Sequence, residues 1–120
     1  QRLVRVLCPE CRVAREATPE QARLFRTTAG EVPEGLRLWG PGGCERCKDT
    51  GYRGRTGIYE LLTITPSLRD LILKRQDAES IKRAAVAGGM RTMLSDGLGK
   101  VRGGVTSLEE VMRVTRDESD

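Results

Sequence analysis

Four cysteines, Cys8, Cys11, Cys44 and Cys47, are the only ones in this 120-residue chain, and they fall into two CxxC pairs, Cys8-Pro9-Glu10-Cys11 and Cys44-Glu45-Arg46-Cys47. A CxxC turn directs both thiolates to one side, and two such turns facing each other complete a tetrahedral sulfur shell. The expected chemistry is one zinc ion held by four cysteine thiolates. All four donors are sulfur and the chain has no histidine, so no coordination position is left for water and the site reads as structural, with no catalytic residue assigned. Iron suits four thiolates equally well, and spacing does not choose between the metals. Two disulfides are a weaker reading, because a CxxC bridge closes a very short ring and nothing in the sequence suggests secretion. A redox CxxC belongs at the start of a helix after a strand, whereas Gly42-Gly43 and Gly51 around the second pair describe turns. Four thiolates and a dication carry about −2 in charge. Arg12, Arg46, Lys48 and Arg53 stand close enough in sequence either to offset that charge or simply to solvate the loop.

The elements that must position these thiols follow from punctuation and periodicity. Residues 1–7 read as a strand with apolar positions on both faces, which expects cover on both sides. Thr18-Pro19-Glu20-Gln21 supplies an N-cap, a proline at the first helical position and a capping-box glutamine; the helix is expected to run to about Ala29, with Ala22, Phe25 and Ala29 on one face and Gly30 after it. Leu36-Arg37-Leu38-Trp39 alternates as a short strand, and residues 57–65 read as another emerging from the second cysteine loop. Four helices are expected beyond it. The first follows Thr65-Pro66 and carries Leu68, Leu71, Ile72 and Leu73; the second is capped by Asp77 and buries Ala78, Ile81, Ala84 and Ala85. A third starts at Thr92 with Leu94, Leu98 and Val101, and the last is opened by a capping box at Thr106-Ser107-Leu108-Glu109, burying Leu108, Val111 and Val114. Asp96-Gly97 is read as an exposed polar position beside a glycine that allows close packing, not as an active site. Residues 116–120 read as a charged tail.

All four aromatic residues, Phe25, Trp39, Tyr52 and Tyr59, lie in the first 60 positions with every cysteine. That shift gives an α+β fold class: a small zinc-knuckle subdomain of short strands and one helix over residues 1–64, then an all-helical subdomain of about four helices over residues 65–120. The net charge of +4 is spread evenly, with 11 basic and 8 acidic residues in the first half and 10 and 9 in the second. Such mixing argues against a nucleic-acid surface. No apolar run approaches membrane-spanning length and no targeting segment is recognisable, so direct membrane insertion is not expected; thiols kept for metal fit a reducing cytoplasm. Arg53, Arg55 and Glu60, on and beside a glycine-rich loop, are the candidates for contact with a phosphate or a neighbouring subunit, and an assembly role is the expectation.

Read in order, CPxC at residues 8–11, CxxCxxTGYxGRTGIYELL at residues 44–62, Asp96-Gly97-Leu98, the Gly104–Val111 run and Val114-Thr115-Arg116-Asp117, preceded by Gln1-Arg2-Leu3-Val4-Arg5, resemble the C-terminal part of the hexameric secretion ATPases. Type II (general secretory pathway) protein E and its type IV pilus-assembly relatives are the members it is most similar to, and the resemblance covers essentially the whole chain. It implies a tetracysteine zinc module whose first seven residues are a remnant strand of an ATPase core. A P-loop needs GxxxxGK followed by Ser or Thr, and no such run occurs among these 120 residues. ATP and magnesium are therefore expected only in the parent protein, and this segment is expected not to be an enzyme. The implied partners are the ATPase core of the same parent chain, neighbouring subunits, and the cytoplasmic domains of inner-membrane type II secretion proteins, which places the parent in the cytoplasm at the periphery of the inner membrane. A zinc-ribbon nucleic-acid module and a thiol oxidoreductase are the alternatives.

Overall fold

Two antiparallel strand pairs and five helices make up the computed structural model, which describes residues 1–29 and 35–116. In order they are β1 (Arg2–Leu7), β2 (Val13–Glu16), α1 (Pro19–Ala29), β3 (Arg37–Gly40), a single 3-10 turn (Glu45–Cys47), β4 (Tyr52–Ile58), α2 (Pro66–Leu73), α3 (Ala78–Ala87), α4 (Met93–Arg102) and α5 (Leu108–Thr115). The fold is α+β, as expected. The chain divides into two units: Gln1–Tyr59 with Met93–Asp120, and Glu60–Thr92. This division differs from the expected one between residues 64 and 65, since Met93–Asp120 falls with the cysteine-bearing unit. Helices α4 and α5 return to the cysteine-bearing unit because its strands and α1 need their apolar faces: Phe25, Leu38, Leu98, Val101 and Val111 form one buried cluster, and Val4, Ile58 and Met93 form another that Val114 packs against.

In the larger unit β1 pairs with β4 (Arg2 opposite Ile58, Val4 opposite Thr56, Arg5 opposite Arg55), and β2 pairs with β3 (Val13 opposite Gly40, Glu16 opposite Arg37). Between Arg5 and Leu7 the register slips by one extra residue on β4, since Leu7 faces Tyr52; Gly54, at φ +77°, supplies the left-handed conformation such a bulge uses. The strand expected over residues 57–65 is instead Tyr52–Ile58. It stops where pairing with β1 runs out, and its branched residues beyond Ile58 carry no strand. Strand β2 was not foreseen, because Val-Ala-Arg-Glu has little β character and is held by its partner.

The other edge of β1 is covered without a strand. The Leu7 N–H donates to the Val105 carbonyl (2.8 Å), the Arg5 N–H to the Glu110 carboxylate (2.8 Å), and the Thr106 hydroxyl to the Arg5 carbonyl (2.7 Å). The first strand, expected as a remnant of an ATPase core, is thus bonded on both sides.

Local signals fixed the helix starts. Thr18 and Gln21 make the reciprocal capping box, Gln21 N–H to Thr18 Oγ1 at 3.2 Å and Thr18 N–H to Gln21 Oε1 at 2.9 Å. Gly30, the expected stop, lies outside the described residues, as do residues 117–120 of the expected tail. The last helix begins one residue later than its expected box: Ser107 is the N-cap, accepting from the Glu110 N–H at 3.2 Å, and Glu110 turns its carboxylate to arginines instead. In α4, Gly97 is buried against α5, where an added Cβ would lie 2.6 Å from Val111 Cγ1. Alanine there would gain about 1 kcal/mol of helix propensity but overpack a fully buried valine at a cost of about 1–3 kcal/mol. Gly97→Ala is expected to lower stability by about 1 kcal/mol in urea titration, and the Gly97→Ala/Val111→Ala pair to lose less than the sum of the single changes. Additive losses would show that the two helices do not meet at this point.

The smaller unit holds α2 and α3. Thr65 caps α2 by accepting from Leu68 N–H (3.2 Å), and Asp77 caps α3 by accepting from Ser80 N–H (2.7 Å). Of the stripe expected on α2, Leu68 is buried and Leu71 half-buried, whereas Ile72 and Leu73 are exposed. Among the described residues no helix is long and apolar enough to cross a membrane.

Candidate metal centre

Cys8 follows the last residue of β1, and the turn after it is closed by Cys11 and Arg12 N–H groups donating to the Cys8 carbonyl (3.4 and 3.1 Å). Cys44 precedes the 3-10 turn and Cys47 is its last residue; its end is set by Lys48 and Asp49 in left-handed conformations and by the Asp49 N–H to Cys44 carbonyl bond of 2.8 Å. The knuckles are fastened to each other through backbone. Cys8 N–H donates to the Gly51 carbonyl at 2.9 Å, and the Gly42 backbone passes so near the Cys11 carbonyl that any Cβ there would overlap it.

The result is four sulfurs in one place. Their Sγ atoms all lie within 4.8 Å of one another, with Cys8–Cys44 at 3.8 Å and both Cys11–Cys47 and Cys44–Cys47 at 3.7 Å. A tetrahedron with metal–sulfur bonds of about 2.3 Å has edges of about 3.8 Å. A disulfide would need about 2.05 Å, so these are four free thiols. The donor set therefore fits one tetrahedral thiophilic ion. No α-helix follows either pair directly, which removes the geometry a thioredoxin-like redox motif requires.

Backbone amides prepare the sulfurs for negative charge. Gly43 N–H donates to Cys11 Sγ (3.1 Å), and Cys44 and Gly51 N–H groups both donate to Cys47 Sγ (3.3 and 3.1 Å). Burial works to raise the Cys47 pKa, but the two N–H groups and the adjacent thiols outweigh it and bring it down to about 6. These amide donors favour the Cys47 thiolate, the form that binds a metal. Of the two roles open to the neighbouring cations, solvating the loop fits better than offsetting the sulfur charge. Arg12 lies over the Trp39 ring, 4.2 Å from its centroid, and donates to the Gly104 carbonyl at 2.8 Å, while Arg46, Lys48 and Arg53 are exposed.

Arg53 and Arg55 sit on either side of Gly54 in the β4 bulge, both exposed. Glu60 belongs to the other unit, where it approaches Lys82 at 4.0 Å. Sequence reasoning missed Glu110. It is 2% exposed and takes two hydrogen bonds from the Arg5 side chain (3.0 and 2.8 Å), one from the Arg5 N–H and two from Arg113 (3.2 and 2.9 Å). Arg5 also stacks on Tyr52, whose hydroxyl bonds Ser107 Oγ at 2.7 Å. A glutamate at the third position of a helix is an ordinary capping residue, so nothing local marked it as an ion-pair centre.

Strand pairs clamped at one end by a four-thiol cluster and covered by returning helices define a small α+β metal-knuckle domain. The family model described as "Type II/IV secretion system protein" matches residues 1–113, and the chain belongs to that family. It is 44% identical over 117 residues to the type II secretion system ATPase E of Vibrio cholerae serotype O1 and 46% identical over 118 residues to the type II secretion system protein E of Aeromonas hydrophila, each match covering 98% of this chain. With the type IV pilus assembly ATPase PilB of Thermus thermophilus it shares 43% identity over 115 residues, or 96% of the chain. These matches span only 22%, 23% and 13% of the respective relatives.

Proposed function

We propose that this chain is the zinc-stabilised C-terminal module of a type II secretion ATPase, the motor that powers protein export across the outer membrane. ATP and magnesium belong to a core outside these 120 residues, and the module itself performs no chemistry. Its work is mechanical and positional: it contributes to the hexamer and docks on the cytoplasmic domains of inner-membrane secretion proteins, holding the parent at the periphery of that membrane. The observation that supports this reading is the clustering of the Cys8, Cys11, Cys44 and Cys47 sulfurs, with three separations of 3.7–3.8 Å that suit tetrahedral thiolate ligation; one zinc ion is the occupant we propose. The cluster fastens the end of β1 to the start of β4, and β1 is bonded in turn to the Val105–Glu110 segment. A strand arriving from an ATPase core is in this way tied rigidly to α5. Zinc without redox activity or open coordination supplies cross-linking alone.

A nucleic-acid role is disfavoured by the rings it would need. Trp39 and Tyr52 each have a face occupied by an arginine of the same chain, which competes with base stacking. The purified chain is expected to contain one zinc equivalent by elemental analysis and to hydrolyse no ATP. One iron equivalent with visible charge-transfer absorption would reassign the metal, and turnover of ATP above background would overturn the non-catalytic assignment.

A further inference from the structure

The β1–β4 register sets two arginines, Arg5 and Arg55, directly opposite each other. Residues so paired project from the same face of the sheet, and like charges there repel. Glu110 answers Arg5, and is shared with Arg113. Arg55 has no acidic partner among the described residues, and Arg53 beyond the bulge has none either. Arg5, Thr50, Tyr52, Gly54 and Arg55 together line an open depression of about 300 Å³. Three observations make this an interaction surface and not merely a solvated face: an uncompensated cation held against another by strand register, a concavity at that point, and an edge strand, since among the described residues nothing pairs with the outer side of β4.

We propose that Arg55, with Arg53 and the exposed side of Arg5, receives carboxylates of an acidic segment of a protein partner. The chemistry is already displayed within the chain, where the Arg5 backbone N–H and guanidinium fork close on the Glu110 carboxylate. A polypeptide is favoured over a small free anion because the arginines are spread along an edge strand. One carboxylate in the depression meets Arg55 and the half-exposed Arg5, and a second two residues along a peptide reaches Arg53, a contact that a lone ion in the depression does not make. The inference extends the docking role proposed above but rests on β4 and not on the metal.

The test uses the full 120-residue chain as purified, its metal content measured in every sample. A fluorescein-labelled hexaglutamate peptide is titrated by anisotropy at low salt, with hexaglutamine as the neutral probe. Hexaglutamate is expected to bind, hexaglutamine not, and Arg55→Ala to weaken binding about tenfold, with Arg55→Lys recovering part of the loss. Lys74→Ala, removing an exposed charge in the other unit, is expected to change affinity less than twofold. Arg55→Ala should also leave the melting temperature unchanged or slightly raised, since a repulsion is relieved. The proposal fails if Arg55→Ala and Lys74→Ala behave alike, if millimolar inorganic phosphate displaces the peptide as well as free hexaglutamate does, or if Arg55→Ala lowers the melting temperature by several degrees, which would mark a structural arginine. Loss of zinc with retained peptide binding would sink the metal reading while leaving this one standing.

Discussion

Replacing Cys44 with serine is expected to release the metal and unfold the larger unit as a whole. A neutral hydroxyl is a poor donor to a thiophilic ion, and three thiolates leave the tetrahedron open to water and to chelators. Structural zinc sites in small domains contribute on the order of 10 kcal/mol of apparent folding free energy, comparable to the entire stability of a domain this size. The cluster sits where β1 ends and β4 begins, so its loss frees both strands, and with them the backbone bonds from Leu7 and Arg5 to the segment leading into α5. Hydrogen exchange should therefore report loss of protection in α4 and α5 together with β1 to β4, although nearly 50 residues of sequence separate those helices from Cys44. Helices α2 and α3 belong to the other unit and should respond least. If Cys44→Ser keeps a full metal equivalent, the four-thiolate assignment is wrong. Protection lost in residues 1–59 but kept in α4 and α5 would instead restore the division of the chain into an N-terminal metal half and a C-terminal helical half.

Glu110→Gln should destabilise the protein at neutral pH by on the order of 2 kcal/mol, a difference that disappears in acid. Burial alone would raise the Glu110 pKa, but hydrogen bonds from Arg113 and Arg5 overcome it and lower the value from 4.5 to about 2. A carboxylate depressed on folding contributes stability that is fully present above its unfolded pKa and is lost as the pH falls through its folded one. The window here runs from about pH 4.5 down to about pH 2. Full conversion of that shift would give about 3 kcal/mol, and the figure is reduced because the Arg5 and Arg113 side chains are 50% and 57% exposed and partly screened. Urea titrations of the two proteins across pH 7 to 3 separate this effect from acid release of the metal, which acts on both alike. A difference that stays flat with pH would mean that Glu110 is not ionised in the folded protein.

Short-range chemistry was legible from the amino acids themselves. Thr18 with Gln21, Thr65 and Asp77 each hold the cap their side chains suggested, because a cap is satisfied within three residues and owes nothing to the rest of the fold. The two CxxC pairs announced their own partnership, since four soft ligands in one short chain have few ways to be satisfied separately. The close approach at Gly97 could be foreseen as a possibility, but its partner, Val111, could not.

What the sequence by itself determined is thus the meeting of the two CxxC pairs, the α+β class, the starts of α1, α2 and α3, and the family. Tertiary structure alone decided where the helices go. The apolar stripes on α4 and α5 read the same whether they pack on α2 and α3 or return to the cysteine-bearing strands, and only the unmet faces of Phe25, Leu38, Val4 and Ile58 choose between those outcomes. The same holds for Glu110 and Arg5, 105 positions apart: a glutamate in a first helical turn is unremarkable until a strand edge with an unpaired N–H and a guanidinium is laid against it. It also holds for Arg55, whose opposition to Arg5 follows from a strand register that the Gly54 bulge sets. Periodicity specifies which face of an element is buried, and the identity of what buries it is a property of the whole chain.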